Sequence, residues 1–187
     1  MRSWRPSPSA GAHSTEPGGG PINLYLSIPL LIGTALVQSA WLARVDVLGA
    51  RPDLMLLVVL IWTVVRGQEE GLVWGAIGGF VTDLISGGPL GIHLLAYLAV
   101  ALLAGQSWGQ ALGSSVLRLL LQAVLAGMAY HLVLLGGLSW VGRVVDWRYS
   151  VTQVLLPSVV LNAVLAPFAR LPLGWLERRT RREGYLA

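Results

Sequence analysis

Apolar residues gather in six runs separated by short polar stretches. The first extends from Asn23 to Ala43, about the 20 residues that a membrane-crossing helix needs. Pro29 near its start predicts a kink, and Trp41 suits an interface at its far end. "RVDVLGARPD" follows as a charged turn. Pro52 disfavours helix at Arg51 and opens the next helix, with Asp53 in its first turn. The second run, "LMLLVVLIWTVV", ends at Arg66, and "RGQEEG" reads as a polar turn. The third run, Leu72 to Ile85, is short and glycine-rich. Two runs this short also suit a re-entrant pair. Snorkelling by Trp62 and Arg66, with Asp53 at an interface, favours two full spans.

The fourth run, "LGIHLLAYLAVALLAG", is entered by Pro89 and left by Gly105. After the polar loop "QSWGQALGSS", the fifth runs from Leu117 to Leu138. "SWVGRVVDWRYS" alternates Trp, Val and Arg, as a segment lying in the interface plane would. The sixth run spans Val151 to Phe168, where Pro157 and Pro167 predict kinks or an early end. The expected fold class is an all-α integral membrane protein, a bundle of six transmembrane helices over residues 23–173. Residues 1–22, rich in Pro, Gly and Ser, form an expected disordered tail. Residues 174–187 form a basic C-terminal tail.

Composition strengthens this picture. Only 12% of the 187 residues are charged, against roughly 25% in soluble domains, and the mean hydropathy is +0.67. There is no cysteine, which excludes disulfides and thiolate chemistry, and all 13 basic residues are arginine. With six spans, Arg44, Arg51, Arg143 and Arg148 fall on one side and the other nine arginines on the side of the termini. The positive-inside rule then puts both termini in the cytoplasm and the Asp83 turn outside. The net charge of +4 therefore reflects topology rather than a nucleic-acid partner. The tail arginines beside Trp175 are also placed to meet anionic lipid.

Gly71, Gly75, Gly79 and Asp83 recur every four residues. Steps of four drift by roughly 40° around a helix, so the four form one slowly winding stripe. Such a stripe lets another backbone approach closely, either inside the bundle or as a groove for a partner helix. Asp83 ends the stripe, where the helix dipole disfavours a carboxylate. It needs a compensating partner: N–H groups of the Ser86–Gly88 turn, the free N–H groups that open helix four, or His93. An Asp–His pair also suits acid–base chemistry. Ser86 lacks a nucleophile-elbow context, however, and no second carboxylate is spaced for a metal. No catalytic residue, metal or cofactor is expected. Asp83, Gly87, Gly88, Pro89, Gly91 and His93 are expected to pin the hairpin between helices three and four.

The stretch "ARPDLMLLVVLIWTVVRGQEEGLVWGAIGGFVTDLISGGPLGIHLLAYLAVALLAG" resembles the rod shape-determining protein MreD family. Its marks are Pro52–Asp53 opening helix two, a glycine-rich helix three ending in Asp83, and Gly87, Pro89, Leu90, Gly91 and His93 after it. The resemblance covers about the central third of the chain. It implies a non-enzymatic scaffold of the bacterial inner membrane that supports lateral peptidoglycan synthesis and rod shape. The implied partner is the membrane helix of an MreC-type scaffold, with MreB, RodA and a class B penicillin-binding transpeptidase acting indirectly. The expected contact residues are Arg51, Pro52 and Asp53 with the Gly71, Gly75 and Gly79 stripe. The family is also similar to the S-components of energy-coupling-factor transporters in helix count. The alternative is therefore a module binding a small solute in a pocket lined by Asp83, His93, Trp62 or Trp147.

Overall fold

The computed structural model describes residues 24–40, 51–106 and 114–183, with side chains from residue 28 to residue 175 of these. The expected N-terminal tail lies outside the described residues. Among the described residues there are six principal helices. They are α1 (Leu24–Ala40), α2 (Leu54–Arg66), α3 (Gln68–Ser86), α4 (Ile92–Ala104), α5 (Ser115–Trp140) and α6 (Leu156–Glu183). One helical turn, Trp147–Tyr149, and a π-helical stretch, Ser150–Leu155, lead into α6.

Three boundaries differ from the sequence reading. "RGQEEG" is not a turn: the break between α2 and α3 is Gly67 alone, whose φ of 104° only glycine adopts readily. Glu69 and Glu70 then occupy the first turn of α3, where the helix dipole favours acids. The sixth helix does not stop at Pro167. It continues through Pro167 and Pro172 to Glu183, so the basic stretch prolongs a helix. And "SWVGRVVDWRYS" is no single in-plane element, because α5 claims its start and a turn follows.

Helix α2 is the hub. It touches α1, α3, α4, α5 and α6, and residues Met55–Leu57 and Val59–Thr63 are buried. Around it α3 packs on α4, α4 on α5, and α5 on α6. In the outer helices, size separates inside from outside. On α5, Ala123, Ala126 and Gly127 face inward, while Leu121, Leu125, Met128 and Leu132 are exposed. On α6, Ala163 and Ala166 are buried, while Val160, Val164, Phe168 and Leu171 are exposed. A water-facing helix would carry polar residues on that outer side. Small residues inside and large apolar ones outside suit packing by close approach in an apolar solvent. Two stretches, Ser115–Trp140 and Trp147–Trp175, are long and apolar enough to cross a membrane. α2 and α4 have 13 residues each, a rise of about 20 Å.

Candidate functional site

Two of the buried polar groups, Asp83 and Asp53, organise networks that join helices, while Thr63, Gln122 and His131 bond to single backbone carbonyls. The first is Asp83, which is 1% exposed. The chain leaves α3 through Gly87 and enters α4 through Gly91, both with left-handed φ. That double reversal folds the first turn of α4 back over the end of α3. Gly91 occupies the N-cap position of α4 and has no side chain to satisfy the free N–H groups there. Asp83 does so from the neighbouring helix. Its carboxylate accepts from the N–H of Gly91 at 2.9 Å, His93 at 3.1 Å and Leu94 at 3.1 Å. The ionised carboxylate only accepts, so His93 Nδ1–H donates to it as well, at 2.9 Å. The positive end of the α4 dipole offsets the negative end of α3 on which Asp83 sits. The N–H groups of the Ser86–Gly88 turn are not its partners. There Ser86 Oγ donates to the Asp83 carbonyl, and Gly88 N–H donates to Ser86 Oγ.

The second centre is Asp53, 8% exposed. Its carboxylate caps α2 by accepting the Leu56 N–H at 2.9 Å. It also accepts from the Tyr97 hydroxyl of α4, 3.1 Å from both oxygens. The Asp53 N–H donates to Asn162 Oδ1 of α6 at 3.0 Å. Two residues on, the Met55 N–H donates to Gln38 Oε1 of α1 at 2.9 Å. Tyr97 stacks on Tyr130 of α5, with ring centres 5.0 Å apart. Five helices thus meet through one capping carboxylate and its neighbours. Asn162 is fully buried, and its Nδ2 has no hydrogen-bond partner among the described residues.

The expected contact set does not form one outer surface. Arg51 is exposed and Pro52 half-buried, but Asp53 turns inward and spends its carboxylate on Tyr97 and Leu56. The glycine stripe also faces inward, and the groove for a partner helix gives way to internal packing. A Cβ on Gly71 would strike the Thr63 side chain of α2. One on Gly75 would lie 3.0 Å from the Tyr97 carbonyl oxygen of α4, and one on Gly79 would strike the Leu94 backbone. The stripe is the seam along which α3 meets α2 and α4. Nor do the four residues of the solute-pocket alternative come together. Asp83 and His93 touch each other. Trp62 stacks on Trp74 with ring centres 3.9 Å apart and donates to Glu70 at the other end of α3. Trp147 is exposed beyond the end of α5.

Tyr97, Asn162, Gln38 and Tyr130 were not singled out from the sequence. The available signal was a lone polar group inside an apolar run, as in "LLAYLAV" and "VVLNAVL", because such groups turn toward the bundle interior.

The two centres lie on the stretch that carries the family marks, Pro52–Asp53 and Asp83 to His93. The family model for rod shape-determining protein MreD matches residues 21–174, most of the chain, covering the first five helices and the first two-thirds of α6. The chain belongs to the MreD family. No curated protein and no solved structure matches it. MreD-family proteins are membrane-associated determinants of rod shape rather than a known enzyme family. In this member, both family carboxylates are committed to holding helices to one another.

Proposed function

We propose that this MreD-family chain is a non-enzymatic scaffold of the bacterial inner membrane. Its six helices would span the bilayer with both termini in the cytoplasm. It would bind the membrane helix of an MreC-type protein and so support lateral peptidoglycan synthesis. Contact with MreB, RodA and a class B penicillin-binding transpeptidase would be indirect. The observation that carries this reading is the family match over residues 21–174. The exposed apolar faces of α5 and α6 support it, since they suit lipid or another membrane helix better than water. So does the use of Asp53 and Asp83, which are occupied with internal hydrogen bonds rather than aimed into a solute site. At 13 residues each, α2 and α4 would cross with local thinning of the bilayer and flanking polar residues reaching the interfaces. Against the alternative of an S-component-like solute binder, Asp83 and His93 lie apart from Trp62 and from Trp147.

Co-expression with an MreC-type partner tests the proposal. The chain should co-purify with that partner in a fixed ratio, and deletion of the partner's membrane helix should abolish co-purification. Purification alone, with a retained small metabolite that Asp83→Asn releases, would overturn the scaffold reading in favour of the solute binder.

A further inference from the structure

At the end of the bundle opposite the Asp83 turn, a groove of about 480 Å³ opens between α2, α5 and α6. Val65, Val116, Leu119, Pro167 and Leu171 line it, and Arg170 is its charged member. The volume lies in the roughly 300–1,000 Å³ range of small-molecule sites. Arg170 is half-buried at the groove wall. On the first turn of α5, Arg118 is half-buried too, with its Nε buried and lacking a hydrogen-bond partner. Ion pairs among the described residues include Arg66–Glu70 and His93–Asp83. Glu70 is taken by Arg66 and Trp62, and Glu69 is exposed at the start of α3. A partly desolvated guanidinium beside an apolar trough calls for an anion with an apolar body. An apolar partner helix would fill the trough and leave Arg170 uncompensated. A phospholipid fills it and neutralises the charge.

We propose that this groove holds one anionic glycerophospholipid of the inner leaflet, with an acyl chain along Leu119 and Leu171 and the headgroup phosphate on Arg170. The proposal rests on the reading of the chain as a membrane-spanning bundle whose arginine-rich end is cytoplasmic. That end is where anionic headgroups lie, and basic pockets between helices recognise them there. The site differs from the tail arginines, which can attract any anionic surface without selecting one lipid.

The test uses the full chain in nanodiscs of equal phosphatidylglycerol and phosphatidylcholine, with native mass spectrometry counting retained lipids. One phosphatidylglycerol per chain should be retained, enriched about fivefold over phosphatidylcholine. Arg170→Gln should remove the enrichment, and Val116→Trp, which fills the groove from an exposed position, should remove the bound lipid. Replacing Arg178, Arg179, Arg181 and Arg182 with Gln should leave the enrichment intact. Melting temperatures check that each variant is folded. Equal retention of the two lipids, or an enrichment lost with the tail arginines and kept by Arg170→Gln, would overturn the site while leaving the membrane reading standing. A chain that does not float with lipid vesicles in a density gradient would overturn both.

Discussion

Asp53 and Asp83 are both buried carboxylates at helix ends, yet they hold the bundle in opposite ways. Asp83 acts over a short loop: its donors are 8 to 11 residues away, all at the start of the next helix. Asp53 acts across the chain: Tyr97 is 44 residues away and Asn162 is 109. The first closes a hairpin that the local sequence already dictates. The second exists only when α2, α4 and α6 have met. A carboxylate with several backbone donors and one with a hydroxyl donor also differ in what can replace them.

Amide substitution breaks or sharpens this comparison most. Asn at position 83 offers one acceptor oxygen to donors now spread over two, and points its NH₂ at backbone N–H groups. Asp83→Asn should cost about 3 kcal/mol, read from unfolding in mixed SDS micelles. Asp53→Asn keeps an oxygen for Leu56 N–H, and its NH₂ can donate to the Tyr97 oxygen, so its cost should be about 1 kcal/mol. Equal costs would put the two centres on a par, and the reverse order would mean that the long-range centre dominates.

The glycine seam gives the next effect. Gly79→Ala forces a Cβ onto the Leu94 backbone beside the Asp83 centre, and should cost about 2 kcal/mol. At Gly78 the added Cβ meets Met55 Sδ, the flexible end of a side chain, so Gly78→Ala should cost below about 1 kcal/mol. The same SDS titration reads both, and a larger loss at Gly78 would place the tight seam on α2 instead of α4. Tyr97→Phe keeps the stack on Tyr130 and removes the hydroxyl from Asp53. A loss of about 1.5 kcal/mol is expected, shrinking toward zero in the Asp53→Asn background if the two act as one unit. His93→Gln should be the mildest, about 0.5 kcal/mol. His93 is partly exposed and three backbone donors remain on Asp83. A loss as large as that of Asp83→Asn would make the side-chain pair, not the backbone cap, the core of the hairpin.

How much of this was legible follows from range. The six apolar runs each became a helix, because a run of that length and composition has few other ways to satisfy its backbone. Where boundaries moved, local rules were outweighed. "QEEG" joined α3 because two acids favour a helix start once Gly67 supplies the break. Pro167 and Pro172 stayed inside α6, where packing on α2 and α5 holds the helix together. The glycine stripe was visible as a stripe, but periodicity cannot say which neighbour a face meets.

By itself, the sequence determined the helical runs, the capping role open to a carboxylate beside a Gly-Pro-Leu-Gly turn, and the family that carries those marks. Each depends on residues close in the chain, where spacing and dipole direction leave little choice. Only the tertiary structure decided that α2 is the hub, that the stripe is a seam and not a groove, and that Asp53 joins Tyr97 and Asn162. These depend on how apolar helices are arranged around one another. In a chain apolar on nearly every face, hydrophobic pattern cannot choose that arrangement. Close contact at glycines and the matching of a few buried donors and acceptors do.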